Sequence, residues 1–222
     1  MTTAYITDNS YTQHTLAQHP EHSGRIESVW EQIDRAGLSQ HLSRLYPKAV
    51  TDEQILHVHT QAHLDRLKWT TQQDSIVLID QDTYALPSSL HVARLTAGGV
   101  VQAVDQVMSG KADNALAAVR PPGHHATPDR QMGFCLMNNV AIGARHAQHT
   151  YNADKILILD YDVHHGNGTQ DIFYDDDSVM FISIHQSPFY PGSGHIGETG
   201  NLQGHQYTLN VPIAGGYGDS AY

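Results

Sequence analysis

Four ionisable side chains fall within six positions near the middle of the sequence. An apolar run at 156–159 precedes them and a glycine-rich turn at 166–168 follows, and between the two stand Asp160, Asp162, His164 and His165. A buried strand that ends in carboxylates and imidazoles is a common way for an α/β enzyme to present a metal site. This segment is therefore the first candidate for chemistry.

Asp162 and His164 are the two residues of this segment whose types and spacing suit a metal ion. On an extended backbone, residues two apart point to the same face. One carboxylate and one imidazole suit Zn²⁺ or Fe²⁺. A lone Asp-x-His is as often a polar strand end, but the density of ionisable groups here favours chemistry.

Two more apolar runs lead into histidines. The run 114–119 precedes His124-His125, and the run 179–184 precedes His185. The carboxyl ends of parallel strands meet at one edge of a sheet, which predicts that these histidines share a site. The tandem pair could supply the base and the acid of a hydrolytic metal centre, or could be a polar turn after Pro-Pro-Gly. Asp160 and Asn167 are natural partners for orienting imidazoles.

Composition excludes several classes of function. The 222 residues carry 23 acidic and 12 basic side chains, a net charge of −11, which argues against a nucleic-acid partner. Cys135 is the one cysteine, so an intrachain disulfide is excluded and a reducing compartment is favoured. The first residues do not resemble a signal peptide, and no apolar run approaches the ~20 residues of a membrane span. We predict a cytoplasmic protein.

Strand and helix patterns alternate along the whole chain, which predicts one α/β domain over residues 1–222 with a mostly parallel, doubly wound sheet. Asn114–Val119 lacks a polar face and is predicted to be a strand buried on both sides. The segment 97–99 should allow close approach of another element to a long helix over 88–108. Scattered histidines are assigned no metal and are expected on the surface or behind the site: His14, His19, His22, His57, His59, His63 and His91.

Several motifs together resemble the zinc-dependent histone deacetylase superfamily, which includes bacterial acetylpolyamine amidohydrolases and acetoin-utilisation-type proteins. They are Arg120-Pro-Pro-Gly-His-His-Ala126, Gly133-Phe-Cys135, Asn138-Asn-Val140, Leu159-Asp-Tyr-Asp-Val-His-His-Gly-Asn-Gly168 and Ser183-Ile-His185. Weaker similarities run from His19-Pro-Glu21 to Gly218-Asp-Ser-Ala-Tyr222, so the resemblance covers nearly the whole chain. Asn167 stands where the nuclear enzymes usually carry Asp, and in this the chain resembles the class II-like branch of the superfamily.

The resemblance implies a three-layer, arginase/deacetylase-like fold and a role for each matching residue. Asp162 and His164 match two of three metal ligands, for Zn²⁺ or alternatively Fe²⁺. His125 matches the general base, and His124 matches its electrostatic partner. Asp160 and Asn167 match the residues that pair with His124 and His125, respectively.

The resemblance also implies how substrate and structural ions bind. Phe134 and Tyr190 match the aromatic walls of a narrow channel for an acetylated amine arm, on a protein lysine or a polyamine. Gly133 matches a backbone carbonyl beside the substrate amide, and Asp82 loosely matches a rim carboxylate. Two structural K⁺ sites are implied, one at Asp160, Asp162, His164, Ser183 and Ile184, the other including Phe173, Asp176 and Val179. Self-association remains open.

Two functional motifs of the family have no counterpart in these residues: a later aspartate that is the third metal ligand, and a tyrosine in a glycine-rich loop. The Gly215-Gly-Tyr217 segment follows Asn210-Val-Pro directly and fits an earlier loop of the family. We therefore expect this chain to be the N-terminal two-thirds of the domain. A pseudoenzyme that binds acyl-lysine is the main alternative, and a dimanganese ureohydrolase-like enzyme is the less favoured one.

The first testable prediction concerns activity of the isolated chain. With two ligands and without the tyrosine donor, we expect the 222-residue chain to show little or no zinc-dependent deacetylation, because loss of one such donor costs about 3–4 kcal/mol of barrier. An assay with an acetyl-lysine peptide and an acetylpolyamine checks this. Zinc-dependent turnover by the isolated chain would contradict it.

Overall fold

The computed structural model describes residues 1–219, so the end of the resemblance at 220–222 lies outside the described residues. The helices are α1 (Gly24–Arg35), α2 (Asp52–Leu56), α3 (Gln61–Thr70), α4 (Ser89–Met108), α5 (Asn139–Tyr151) and α6 (Asn167–Phe173). The strands are β1 (Thr3–Ile6), β2 (Leu42–Leu45), β3 (Val77–Leu78), β4 (Tyr84–Ala85), β5 (Asn114–Ala117), β6 (Ile156–Asp160), β7 (Val179–Gln186) and β8 (Thr208–Ile213). Short 3₁₀ turns occupy Asn9–Gln13, Ser39–His41 and Leu202–Gly204.

Parallel pairing dominates, as the alternation of strands and helices predicts. One three-stranded sheet has the order β2-β1-β5, and a second has the order β6-β7-β8. All four of their pairings are parallel, and a small antiparallel hairpin joins β3 to β4. In the second sheet Asp160 pairs in register with Ser183, so the ends of β6 and β7 lie side by side.

Helices α4 and α5 form the central packing layer. Their buried apolar faces join Ile158 of β6 and Phe181 of β7 in one core. The glycines predicted to allow close approach do so: a Cβ on Gly98 would lie 1.7 Å from the carbonyl oxygen of Lys48. A Cβ on Gly99 would lie 2.8 Å from Cγ1 of Val119. Any larger residue at these positions would force α4 away from its neighbours.

The prediction for 114–119 is wrong in its burial. Strand β5 ends at Ala117 and pairs with β1 on one side, and Leu116 is 43% exposed. Within residues 1–219, β5 has no pairing with β6, so the strand before His124-His125 is not a sheet neighbour of the strand before Asp162. An all-apolar run is typical of a strand that is covered on both sides in a complete sheet. Within the described residues, β5 instead has a neighbouring strand on one side only.

Ser23 precedes α1, but its side chain makes no capping hydrogen bond. Among residues 1–219, no helix combines the length and apolar character needed to cross a membrane.

Three of the scattered histidines are buried in the core. The ring nitrogens of His59 contact the Thr127 carbonyl oxygen (2.9 Å) and the Asn138 amide (2.9 Å), and Nε2 of His63 lies 2.8 Å from the Leu136 carbonyl oxygen. Burial lowers the pKa of His14 and of His59 to about 3, and that of His63 to about 4. These imidazoles are therefore neutral in the folded chain at pH 7.

Because these histidines are buried as neutral imidazoles, we predict that the folded chain loses stability in mild acid. Their folded pKa values lie below the unfolded value of about 6.5, so the unfolded chain binds more protons as the pH falls below 6.5. We expect the free energy of unfolding to fall between about pH 6.5 and pH 4, by about 1.4 kcal/mol per pH unit for each such histidine. Urea denaturation across this range measures the slope.

A matched pair of variants separates histidine titration from carboxylate titration. His63→Gln keeps a donor for the Leu136 carbonyl and should reduce the slope by about one histidine's share. His22→Gln, at an exposed position, should leave the slope unchanged. Equal slopes in both variants would contradict the assignment.

Candidate active site

The residues after β6 form a turn that the carboxylates of Asp160 and Asp162 stabilise by accepting backbone hydrogen bonds. Oδ1 of Asp160 accepts a hydrogen bond from the Asp162 amide (3.1 Å), and Oδ1 of Asp162 accepts one from the His164 amide (2.8 Å). Asp162 and His164 thus lie beyond the strand, in a turn rather than on extended backbone. They still come together, because Nδ1 of His164 lies 3.1 Å from Oδ1 of Asp162.

The spacing of these two donor atoms suits a shared metal ion. Zn–N and Zn–O bonds of ~2.0–2.1 Å at the tetrahedral angle place two donors about 3.3 Å apart. The Asp162–His164 pair, at 3.1 Å, fits two ligand positions of such an ion. Among residues 1–219, no group of three or more His, Cys, Asp and Glu side chains is placed to hold a metal. That the pair holds a metal stays a prediction.

His124 is oriented by Asp160, as the resemblance implies. Nδ1 of His124 lies 2.8 Å from Oδ2 of Asp160, so the imidazole donates from Nδ1 to the carboxylate. Nε2 of His124 faces Asp162, 4.0 Å from its Oδ1. A Cβ at Gly166 would lie 2.3 Å from Oδ2 of Asp160, so only glycine leaves room for this pair.

His125 is oriented by Asn167 at the start of α6. Nδ1 of His125 lies 2.8 Å from Oδ1 of Asn167, which can only accept, so the proton sits on Nδ1 and Nε2 keeps its lone pair. Burial, followed by the neighbouring imidazoles of His124 and His164, lowers the pKa of His125 to about 3. The two tandem rings lie with centroids 4.0 Å apart. His125 is thus a neutral imidazole with a free acceptor nitrogen.

A buried ion pair anchors the backbone that leads to these histidines. Nε of Arg120 donates to Oε1 of Glu21 (2.7 Å), both side chains are buried, and a second Arg120 nitrogen donates to the Tyr11 carbonyl. The sequence singled out His19-Pro-Glu21 only as a weak similarity. In the structure, Glu21 of this motif pairs with Arg120 and so supports the loop that carries the tandem histidines. The two residues are 99 positions apart, so local spacing could not reveal the pair.

The loop 131–137 closes one side of the site. Gly133 has φ of +56°, and a Cβ there would lie 2.3 Å from Cδ2 of His125. The Cys135 thiol donates to the Gly133 carbonyl (3.3 Å), and its burial raises the thiol pKa. The cysteine is thus a packing residue behind His125. The Phe134 amide donates to Oγ1 of Thr83 (3.1 Å), which ties this loop to the Asp82 segment.

Aromatic side chains surround the histidines. The ring of Tyr190 stands edge-on to His125, with centroids 5.0 Å apart, and edge-on to His164 at 5.9 Å. Phe189, which sequence reasoning missed, stacks on His164 at 4.9 Å and 8°. Its adjacency to Tyr190 between two prolines was the available signal. Phe134 instead packs against His19, 5.1 Å between centroids.

Asp82 lies on the same side as Tyr190. Burial, followed by the charges of Asp82 and Asp80, raises the pKa of Tyr190 to about 12. The pKa of Asp82 is raised by its burial and by Asp80. The Asp82 backbone carbonyl accepts from Nε2 of His19 (3.0 Å).

His165 and His185 form a separate buried group. Nε2 of His165 lies 3.0 Å from Oε1 of Gln170 and its Nδ1 lies 2.9 Å from Oγ of Ser193. Nε2 of His185 lies 3.0 Å from the Gly194 carbonyl oxygen. The expectation that the histidines after three strands share one site is therefore right for His124-His125 and the turn after β6, but not for His185. His185 lies inside β7 and contacts the loop that carries Tyr190.

The residues of the implied K⁺ sites are neighbours in space. Asp160 and Ser183 pair in register, and Ile184 follows Ser183 in β7. At the other end of β7, the Asp176 amide donates to the Phe173 carbonyl (3.1 Å) and the Asp176 carboxylate accepts from Arg145 (2.7 Å), three residues before Val179. Each set groups at one end of a strand; whether K⁺ binds there stays a prediction.

Comparison with known proteins identifies the class. Residues 19–222 match the family described as histone deacetylase domain. The chain is 39% identical to a probable deacetylase of Archaeoglobus fulgidus, over 100% of this chain and 62% of the relative. It is 40% identical to a histone deacetylase-like amidohydrolase of Pseudomonas aeruginosa, over 93% of this chain and 53% of that protein. The crystal structure of the HDA15 HD domain matches with a TM-score of 0.91 and 39% identity, covering 95% of this chain and 61% of that one.

The chain belongs to the histone deacetylase family, and its fold is the arginase/deacetylase type. It spans about three-fifths of the length of the Archaeoglobus fulgidus relative.

Gly133 offers a test of the site's packing. Gly133→Ala should lower the free energy of unfolding by about 1–2 kcal/mol for its positive φ and by about 1–3 kcal/mol more for the clash with His125. Gly110→Ala is the matched control, because Gly110 has φ of +72° and nothing within 4 Å of its Cβ position. Urea denaturation at pH 7 measures both. Equal losses would show that Gly133 is required by φ alone.

Proposed function

We propose that the whole protein hydrolyses N-acetyl amides on alkyl-amine substrates of the acetyl-lysine or acetylpolyamine type. Family membership supports deacetylase chemistry. The observation that carries the proposal is the pair of oriented imidazoles, His124 on Asp160 and His125 on Asn167, beside the Asp162–His164 donor pair. Such a site has the acid–base groups and part of the ligand set that amide hydrolysis requires.

Asp162 and His164 would hold the metal, Zn²⁺ or Fe²⁺, which when bound polarises the acetyl carbonyl and lowers the pKa of a coordinated water. His125 transfers the proton of the attacking water. Its free Nε2 accepts the proton of the attacking water and later returns it to the leaving amine, and Asn167 keeps Nδ1 protonated throughout. His124, oriented by Asp160, lies next to the reacting group as the electrostatic partner of His125.

The surroundings of His125 favour a narrow, apolar substrate arm. Tyr190 stands edge-on to His125, Phe189 stacks on His164, and Phe134 packs against His19. Aromatic walls suit the methylenes of a lysine or polyamine. We propose that the Gly133 carbonyl accepts from the substrate amide and that Asp82 contacts the substrate at the rim. The net charge of −11 favours such cationic partners over nucleic acid.

Two further roles belong to the proposal. We assign structural K⁺ to Asp160, Asp162, His164, Ser183 and Ile184, and to the group that includes Phe173, Asp176 and Val179. Oxygen-rich, charged strand ends are where a cation of this kind would neutralise converging carbonyls. A binding module without turnover is the second candidate, because residues 1–219 hold two of the donors and no larger ligand group.

Calorimetric titration with an alkyl hydroxamate, with and without Zn²⁺, tests the proposed site. We expect hydroxamate binding only when Zn²⁺ is present, since the ligand must chelate the ion held by Asp162 and His164. Asp162→Asn and His164→Ala should each weaken Zn²⁺ binding at least tenfold, about 1.4 kcal/mol. His22→Ala, an exposed histidine elsewhere, is the control and should change nothing.

Hydroxamate binding that is equal with and without Zn²⁺ would favour the binding-module alternative. Zn²⁺ binding that is unaffected by His164→Ala would place the ion elsewhere and remove the basis of the proposed function.

A further inference from the structure

A polar cavity lies at the end of the α4–α5 layer that is remote from the candidate active site. Its volume of about 480 Å³ is within the range of small-molecule sites. Helix α5 begins after Asn138, whose side chain donates to the Ala126 carbonyl next to the tandem histidines (3.2 Å). It ends 13 residues later, about 20 Å away, at Tyr151 in the cavity wall. The polar side chains that line the cavity include Lys48, Gln102, Asp105, Lys111, His146 and Tyr151.

The two lysines extend from backbone that is fixed against helix α4. The Lys48 backbone packs directly on Gly98, where α4 has no side chain to keep it away. The Lys111 amide donates to the Gln106 carbonyl at the end of the same helix (3.0 Å). The cavity therefore has walls whose positions are set by α4 and not by mobile loops.

Asp105 is an oriented acceptor in this cavity. Its Oδ1 accepts hydrogen bonds from Nε2 of His146 (2.7 Å) and from the Tyr151 hydroxyl (2.9 Å). The Thr150 hydroxyl lies 3.3 Å from Nδ1 of His146, which fixes the imidazole from its other side. Within residues 1–219, Oδ2 of Asp105 has no donor, so this oxygen is available to a ligand.

Gln102 supplies a second acceptor without a donor. Among residues 1–219, its Oε1 is buried and has no hydrogen-bond partner. Buried polar atoms are nearly always paired, so an unpaired acceptor in a cavity wall marks a place where a donor is missing. The residue as a whole is half-buried, and rotation of its amide presents Oε1 to the cavity.

The cavity also contains lysines that lack an ion-pair partner. The chain has four lysines, of which Lys68 and Lys155 each pair with an aspartate, at 2.6 Å and 3.3 Å. In the part of the chain that the structure describes, Lys48 and Lys111 have no carboxylate within 4.0 Å, and both line this cavity. In a chain with a net charge of −11, two such ammonium groups at one cavity favour an anionic ligand and disfavour a metal cation. Ammonium groups of this kind are common phosphate binders.

We propose that this cavity binds a small phosphorylated sugar or polyol. Lys48 and Lys111 hold the phosphate, while Asp105 and Gln102 accept hydrogen bonds from the hydroxyl groups. A free phosphate would satisfy the lysines but leave both acceptors unpaired. A ligand with hydroxyl groups and no charge would leave the lysines unpaired, so the lining matches a molecule that carries both kinds of group.

Calorimetric titration of the 222-residue chain tests the proposal with ribose 5-phosphate, inorganic phosphate and ribose. We expect ribose 5-phosphate to bind about tenfold more tightly than inorganic phosphate, because it also supplies the missing donors. Ribose alone should bind more weakly than ribose 5-phosphate, because it lacks the anionic group. Near-ultraviolet dichroism checks that each protein sample is natively folded.

Variants assign the two halves of the ligand. Lys48→Met and Lys111→Met should each weaken ribose 5-phosphate binding about tenfold. Lys155→Met is the matched control, because it removes the same charge outside the cavity and should leave binding unchanged. Asp105→Asn should strengthen binding of inorganic phosphate, since it removes a nearby negative charge, and should reduce the preference for ribose 5-phosphate. A purely structural role of Asp105 would not move these two affinities in opposite directions.

Chemical protection locates the bound ligand. Reductive methylation of the lysines is followed by mass spectrometry, with and without ribose 5-phosphate. We expect the ligand to slow methylation of Lys48 and Lys111, while Lys68 and Lys155 serve as internal references and react at unchanged rates.

Five results would overturn the proposal. They are absence of saturable binding to the natively folded chain, equal affinities for ribose 5-phosphate and inorganic phosphate, and equal losses in Lys48→Met and Lys155→Met. The fourth is equal protection of all four lysines, which would indicate non-specific attraction. The fifth is protection of Lys48 and Lys111 that rises with protein concentration in the absence of ligand, which would assign the cavity to a second copy of the chain.

Discussion

The carboxylate of Asp160 is the constraint on which the candidate site depends. One of its oxygens accepts from the Asp162 amide and shapes the turn that presents Asp162 and His164. The other accepts from Nδ1 of His124, which comes from the loop after β5 in the other sheet. One half-buried carboxylate thus ties together two segments that share no strand pairing within residues 1–219. Gly166 leaves the space for it, since a Cβ there would occupy the position of the acceptor oxygen.

Support for this arrangement comes from groups that do no chemistry. The Arg120–Glu21 pair holds the start of the tandem-histidine loop against the N-terminal segment, and α6 brings Asn167 to His125 from the far side. Because His125 is buried and its Nδ1 is committed to an amide oxygen, the imidazole stays neutral with one nitrogen free. Removal of such a partner would leave a buried polar group unpaired, which is costly in a low-dielectric interior.

The division of the sheet sets where the candidate site lies. Parallel strands deliver their carboxyl ends to one edge, and the site lies where β5 and β6 point. Between these strands the described residues leave a cleft with apolar walls and two open edges. The same gap exposes Leu157 and Leu159.

Much of the molecule could be predicted from sequence, because its signals are local. The long helix α4, the strand β6 and the parallel α/β class follow from periodicity and alternation, and the chemistry-bearing residues follow from their types and spacing. The histone deacetylase resemblance rests on short motifs whose order the chain keeps, and the family match confirms it. What sequence alone determined is therefore the set of candidate site residues around the histidines and the elements that precede them. Only the tertiary structure decided that Asp162 and His164 meet in a turn, that Glu21 supports the tandem histidines and that His185 belongs to a separate group. It also decided that β5 stops short of β6. These features depend on which segments pack together across tens of residues, and no local pattern of residue types encodes that choice.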